Sequence, residues 1–110
     1  MQERVNEIFI GNKDPYDWVM YEGRETLMEV LYSTILDIYE NELNEKIAAR
    51  ISFNFNGNQK SMDFLIKRDG IQETVDKVFE FALENEKYEW CSELKSIREG
   101  LRNEDFSYRG

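Results

Sequence analysis

Carboxylates are the only side chains of this chain that are numerous enough, and suitably spaced, to support catalysis or metal binding. The sequence contains no histidine and one cysteine, Cys91, among its 110 residues. The lack of histidine removes the commonest general base and the commonest metal ligand. A single cysteine cannot form a Cys/His pair or a zinc cluster. On a helix Cys91 would lie beside an apolar stripe, so we interpret it as a packed thiol.

Two groups of glutamates recur at helical spacing. The first comprises Glu22, Glu25 and Glu29, and the second comprises Glu86, Glu89 and Glu93. Two such faces could in principle hold Mg²⁺ or Ca²⁺, which prefer carboxylate oxygens. Because histidine and an Asp-rich loop are both missing, we interpret the faces as solvated and rank a carboxylate–metal enzyme last. The sequence therefore predicts no catalytic residue, no metal site and no cofactor.

The acidic charge is concentrated in two regions of the chain. The net charge is −9; residues 14–50 hold 9 acids and 3 bases, residues 69–105 hold 11 and 5, and residues 51–68 hold 1 and 3. Direct nucleic-acid binding is disfavoured, because phosphates are met by Lys and Arg. A basic protein partner, or solubility alone, fits this charge better. The candidate binding residues are Glu25, Glu29, Asp37, Glu40, Glu86, Glu89 and Glu93.

The stretch from Gly23 to about Glu45 predicts a long central helix. The residues that share its apolar face are Leu27, Val30, Leu31, Thr34, Ile35 and Ile38, flanked by Met28, Tyr32, Tyr39 and Leu43. Together they span roughly 200° of the helix, more than an ordinary surface helix buries. Such a helix must be covered on two sides. It is also too short and too charged to be a membrane span.

The ends of this helix carry unequal signals. Thr26 and Glu29 match the capping box, in which each side chain satisfies a free backbone N–H. The C-terminal end is expected at residues 43–48, with Asn41 or Asn44 in the left-handed terminal conformation.

The N-terminal segment is ambiguous. Residues 1–13 could form a short helix or, through residues 8–10, a strand. Asp14 followed by Pro15 is typical of a helix start, although a short strand over residues 18–21 competes with it. We expect a single domain over residues 1–110, with residues 1–13 and 104–110 open to fraying.

Residues 47–68 predict a β-hairpin. Apolar residues alternate with polar ones on both sides of Asn56-Gly57, the strongest short hairpin signal. A two-residue loop there sets Ile51 opposite Met62 and Ala49 opposite Phe64, whereas a three-residue loop would turn one strand's core face to solvent. A turn at Gly57-Asn58 matches equally well.

The basic residues of the hairpin, together with its phenylalanines, could suggest a stacking platform for single-stranded nucleic acid. The basic residues are Arg50, Lys60, Lys67 and Arg68. The alternation, however, turns both Phe53 and Phe55 toward the core. We therefore do not favour this platform.

The last third of the chain predicts a helical pair. Its start is indicated by Asp69 as the N-cap residue and by Gln72 three residues later, as in a capping box. Two apolar stripes follow, formed by Ile71, Val75, Val78, Phe79 and Ala82 and then by Trp90, Leu94, Ile97 and Leu101. The second stripe is rotated by roughly a quarter turn. A break over residues 84–87 lets both stripes face one core, and Gly100 and Asn103 mark the end.

One local resemblance falls within this pair. Ala82 and the run Tyr88-Glu89-Trp90-Cys91-Ser92-Glu93-Leu94-Lys95 resemble the UVR motif of bacterial excinuclease subunits, within residues 82–97. The match covers about 20 of the 110 residues; Ser96 stands where the family has aspartate, and Ile97 comes one position early. In that family the motif is a helical hairpin that mediates contact between protein subunits. The resemblance implies a helical hairpin and a binding role.

The fold class that follows is α+β: a long central helix, one antiparallel β-hairpin, a C-terminal helical pair and a short N-terminal element. We expect a small acidic, non-catalytic protein-interaction domain in a cytoplasmic setting, such as a phage or mobile-element regulator or inhibitor. One alternative is a nucleic-acid mimic that blocks a DNA- or RNA-binding protein. Another is a subunit of a larger assembly, or a homo-oligomer held through Trp18 or Trp90.

Overall fold

The fold is α+β, as predicted. The computed structural model describes the backbone of residues 5–109 and the side chains of residues 5–101. In chain order the elements are β1 (Glu7–Phe9), α1 (Pro15–Met20), α2 (Arg24–Glu40), β2 (Glu45–Phe55), β3 (Asn58–Lys67), α3 (Ile71–Glu84) and α4 (Tyr88–Arg109). The expectations for residues 1–4 and 110 lie outside the described part of the chain.

The sheet has three strands in the order β1-β2-β3, and it is mixed. β3 pairs with β2 in the antiparallel sense, and β1 pairs with β2 in the parallel sense. The prediction of a single antiparallel hairpin was therefore incomplete, and the ambiguous N-terminal segment forms a strand. The N–H of Arg50 donates to the carbonyl of Asn6 (2.8 Å), and that of Ile10 donates to Ser52 (3.0 Å). Parallel strands need a long crossover, which α1 and α2 supply.

The hairpin register is confirmed. Asn56 and Gly57 form the loop with φ of 51° and 77°, as a type I′ turn requires. Ile51 lies opposite Met62, and Ala49 lies opposite Phe64. A bulge that the alternation did not predict occurs between Ile47 and Ala49.

One face of the sheet packs on the helices, and the other carries polar and charged side chains. Ala49 and Ile51 on the covered face are fully buried. Phe55 points to the same side but is 53% exposed, so the prediction that it enters the core was wrong. The reason is the length of the hairpin, since residues 54–61 are all exposed and extend beyond the core. The Lys60 ammonium lies 5.2 Å from the centre of the Phe55 ring.

Helix α2 holds the central position that the apolar arc predicted. Its buried residues are Leu27, Leu31, Thr34, Ile35 and Ile38. They join one core cluster with Ala48 of β2, Ile66 of β3, Val75 and Val78 of α3, and Leu94 and Ile97 of α4. The helix is therefore covered both by the sheet and by the C-terminal helices.

Both ends of α2 differ from the prediction. The helix begins at Arg24 after Gly23, no side chain caps it, and Thr26 is exposed within its first turn. Gly23 lies against the Trp18 indole and donates its N–H to the Trp18 carbonyl (2.6 Å), so a tertiary contact sets the entry.

At its C-terminal end α2 stops at Glu40, earlier than residues 43–48. Glu42 takes the left-handed conformation (φ 52°), and the Leu43 N–H bonds to the Ile38 carbonyl (3.0 Å). This is a Schellman motif, with glutamate instead of Asn41 or Asn44 at the left-handed position.

Of the two other predicted helix N-caps, one is confirmed and one is wrong. Asp14 caps α1 as predicted, because its carboxylate accepts from the N–H groups of Tyr16 (2.8 Å) and Asp17 (3.2 Å). Helix α1 continues to Met20, so a strand does not form there. Asp69 does not cap α3; Gly70 precedes the helix in a left-handed conformation (φ 86°).

The break between α3 and α4 is confirmed. Glu86 has a φ of 55°, and the Lys87 N–H bonds to the Ala82 carbonyl (2.8 Å), which again forms a Schellman motif. Helix α4 does not end at Gly100 or Asn103 but runs to Arg109. Whether Phe106 and Tyr108 dock lies outside the described side chains.

Candidate functional site

The acidic residues of α2 divide into two groups. On a helix of 3.6 residues per turn, Glu25, Glu29 and Glu40 share one strip, and Tyr32 lies beside it. All three glutamates are exposed, and Tyr32 is half-buried. The strip borders the flank of α2 that faces α4.

Asp37 belongs to the other group and does not share this strip. Its carboxylate forms an ion pair with Lys46 of β2 and accepts a hydrogen bond from Asn41 Nδ2 (2.5 Å). The hydrogen bond from Lys46 is the main reason that the pKa of Asp37 is lowered. Asp37 thus ties α2 to the sheet, and its charge is neutralised within the chain.

Two aromatic contacts hold α4 beside α2. The Tyr32 and Trp90 rings stack with centroids 4.3 Å apart and planes 5° apart. Near the other end of the contact, the Tyr39 hydroxyl lies against Gly100. The Lys87 ammonium lies 4.9 Å from the centre of the Trp90 ring, so this indole interacts with both an aromatic ring and a cation.

Exposed carboxylates of both helices influence the Tyr32 phenol at this stack. The pKa of Tyr32 is raised, first by burial and then by the negative charges of Glu93, Glu89 and Glu40. Glu89 and Glu93 are exposed on α4, and Glu40 is exposed on α2. We refer to Tyr32, Glu40, Glu89 and Glu93 as the Tyr32 cluster.

The carboxylates of the Tyr32 cluster are not neutralised by the side chains that the structure describes. Within residues 5–101, the salt bridges formed by glutamates involve Glu22 with Lys13, Glu84 with Arg24, and Glu7 with Arg50. Three like charges therefore act on one phenol. Such an arrangement suits a cationic side chain, which could donate charge-assisted hydrogen bonds to the carboxylates.

The remaining candidate residues lie apart from this cluster. Glu86 is exposed in the turn between α3 and α4, where it adopts positive φ. Glu22 forms an ion pair with Lys13 at 2.6 Å. In the described part of the chain, no three His, Cys, Asp or Glu side chains are grouped to hold a metal ion. Cys91 is a free, half-buried thiol.

Trp18 and Trp90, suggested by the sequence as oligomer contacts, are both half-buried within the chain. Trp18 lies against Gly23, and Trp90 stacks on Tyr32. More exposed apolar groups occur on α1 and at its C-terminal end, where Tyr16, Met20 and Tyr21 are each more than half exposed.

Tyr32 is the residue that sequence reasoning missed, since it was assigned only to the apolar flank of α2. Its position next to the strip of Glu25, Glu29 and Glu40 was readable from the helical period. Its neighbours on α4 were not, because no local pattern places Glu89 and Glu93 beside α2.

Comparison of the chain with protein-family models, with curated proteins and with solved structures finds no match. The resemblance of residues 82–97 to the UVR motif therefore stays a prediction. No helix in the described part of the chain is long and apolar enough to span a membrane.

Proposed function

We propose that the chain is a non-catalytic protein-interaction domain that binds a basic surface of a partner protein through the Tyr32 cluster. The observation that carries this proposal is the stacking of Tyr32 of α2 on Trp90 of α4, beside exposed glutamates of both helices whose charges raise the pKa of Tyr32. Glu25 and Glu29 continue the negative strip along α2 and would extend the contact.

Charge energetics support a ligand of opposite sign. Unneutralised like charges on neighbouring helices repel one another and oppose folding. A Lys or Arg side chain of a partner would relieve this repulsion and would gain charge-assisted hydrogen bonds. Tyr32 and Trp90 add an amphipathic ring pair of the type enriched in protein interfaces.

Affinity capture with matched variants tests this proposal. The full chain is immobilised, exposed to cell lysate, and compared with a cluster variant that carries Glu40→Gln, Glu89→Gln and Glu93→Gln. The control variant carries Glu73→Gln, Glu80→Gln and Glu99→Gln, which removes the same charge from exposed positions outside the cluster.

A basic protein retained by the wild type and by the control, but not by the cluster variant, is the expected result. A partner that binds the cluster variant as well as the wild type would remove the Tyr32 cluster as its site. Added DNA or RNA distinguishes the mimic hypothesis, because a nucleic acid competes only if the partner uses its nucleic-acid site to bind this chain.

A further inference from the structure

The outer edge of β3 offers a row of backbone hydrogen-bonding groups. Strand β3 spans ten residues at the edge of the sheet, and no strand within residues 5–109 pairs with its outer side. Edge strands of this length are templates for pairing with a further strand.

The hydrogen bonds of β2 establish which β3 groups point outward. Arg50, Ser52 and Asn54 use their backbone groups toward the N-terminal segment. Ile51 and Phe53 must therefore bond to β3, where their partners are Met62 and Lys60. The alternate β3 residues direct their N–H and C=O groups outward; they are Gln59, Ser61, Asp63, Leu65 and Lys67, all with exposed side chains.

We propose that this edge pairs with the β3 edge of a second copy of the chain, in the antiparallel sense. The two-fold axis passes through Leu65, so that Leu65 faces its own copy and Asp63 faces Lys67 of the other copy. Each of these pairs exchanges two backbone hydrogen bonds. The result is a continuous six-stranded sheet, whose covered faces lie on the same side.

Charge complementarity selects both the second copy and this register. Within one chain Glu7 lies opposite Arg50, Arg50 lies opposite Asp63, and Glu45 lies opposite Lys67. The side chains of Arg50 and Asp63 are bonded at 2.7 Å. In the proposed register each row across the dimer reads Glu7, Arg50, Asp63, then Lys67 and Glu45 of the second copy. The sign alternates at every step, which favours cross-strand pairing.

Shifting the register by one step of the ladder would lose this pattern. If Asp63 were on the two-fold axis, it would face its own copy, and like charges directly opposite each other are destabilising. Placing the axis at Phe64 would set Lys60 opposite Arg68. With the axis at Leu65, this 44% exposed side chain and the neighbouring Ile47 would also form an apolar patch with their copies.

Sedimentation equilibrium of the full chain over a wide concentration range tests the pairing. We expect a concentration-dependent dimer that is weak, because an edge contact buries less than a standard interface. Lys67→Glu should raise the dimer Kd by roughly tenfold, since two attractive charge pairs become repulsive. Asp63→Lys should do the same. Lys60→Glu makes the same change in net charge as Lys67→Glu, outside the paired segment, and should leave the Kd unchanged.

Mixing the two disruptive variants gives a test specific to this register. In a heterodimer of Lys67→Glu with Asp63→Lys, both facing charge pairs are again opposite in sign, so dimerisation should return. Circular dichroism of each variant verifies the fold. A monomer at all concentrations would overturn the proposal. So would a dimer that Lys67→Glu weakens no more than Lys60→Glu does, or a mixture that stays monomeric.

Discussion

The pKa of Tyr32 depends on the negative charges near it. Burial and the charges of Glu93, Glu89 and Glu40 raise its pKa, so the folded state favours the neutral phenol. A group whose pKa is raised on folding contributes stability that is complete below its unfolded pKa and is lost as the pH rises through the folded value.

The pH dependence of folding should therefore change in Tyr32→Phe. We expect the wild type to lose stability above about pH 10, the usual pKa of tyrosine, and the variant to lose less. Urea melts across this pH range measure the effect. Absorbance titration of tyrosinate should show that the cluster variant, which lacks the three carboxylates, ionises Tyr32 at lower pH. An unchanged Tyr32 titration in the cluster variant would mean that these carboxylates do not raise its pKa.

Glu42 is a second residue with a clear energetic signature. It holds a φ of 52° at the C-terminal end of α2, a conformation that disfavours residues with a Cβ atom. Glu42→Gly should raise the free energy of unfolding by about 0.5–1 kcal/mol, after allowance for the greater freedom of glycine in the unfolded chain. Glu42→Ala removes the same charge without relieving the backbone. Urea melts that show equal gains for both variants would assign the effect to charge.

At the scale of elements, the hairpin depends on its turn. Gly57 has a φ of 77°, and an added Cβ would meet no atom within 4 Å, so substitution there tests the backbone alone. We expect Gly57→Val to lower the free energy of unfolding by more than about 1 kcal/mol. Asn54→Val, on the exposed polar face, should change it by less than about 0.5 kcal/mol. Equal losses in denaturant melts would contradict a type I′ turn at this position.

The contact between α2 and α4 can be tested at Gly100. Replacing glycine by alanine inside a helix usually stabilises it by about 1 kcal/mol. Here a Cβ would overlap the Tyr39 hydroxyl, so Gly100→Ala should instead destabilise by about 1–3 kcal/mol. Thermal melts should find the double variant with Tyr39→Phe more stable than Gly100→Ala alone. A stabilising Gly100→Ala would show that the two helices do not meet there.

The elements that the sequence predicted well are those defined by local patterns. The hairpin register followed from alternation and the Asn56-Gly57 turn, and the core face of α2 followed from the helical period. The start of α2 did not follow from a local pattern, because it depends on the tertiary contact of Gly23 with the Trp18 indole. Strand β1 could not be assigned from the sequence either, because three residues are too few to show a clear alternation of apolar and polar side chains. The Tyr32 cluster joins residues far apart in sequence, and only the packing of α4 on α2 brings them together.

Across the whole molecule, the charge is distributed unevenly between the helices and the sheet. The helical regions are strongly acidic, whereas residues 51–68 carry 3 bases and 1 acid. The proposed surface for a basic partner lies on the acidic helices, and the proposed contact with a second copy lies at the edge of the less charged sheet. These two surfaces are formed by different elements, so we expect the two proposed contacts to be compatible.

Salt titration of the captured partner's affinity tests the central claim most directly. Isothermal titration calorimetry of the wild type should show an affinity that falls steeply as the salt concentration rises, because exposed charges are screened. The cluster variant with Glu40→Gln, Glu89→Gln and Glu93→Gln should bind weakly and with little dependence on salt, while the control variant should follow the wild type. An affinity that is equal at low and high salt, or one that the cluster variant retains, would contradict recognition through the Tyr32 cluster.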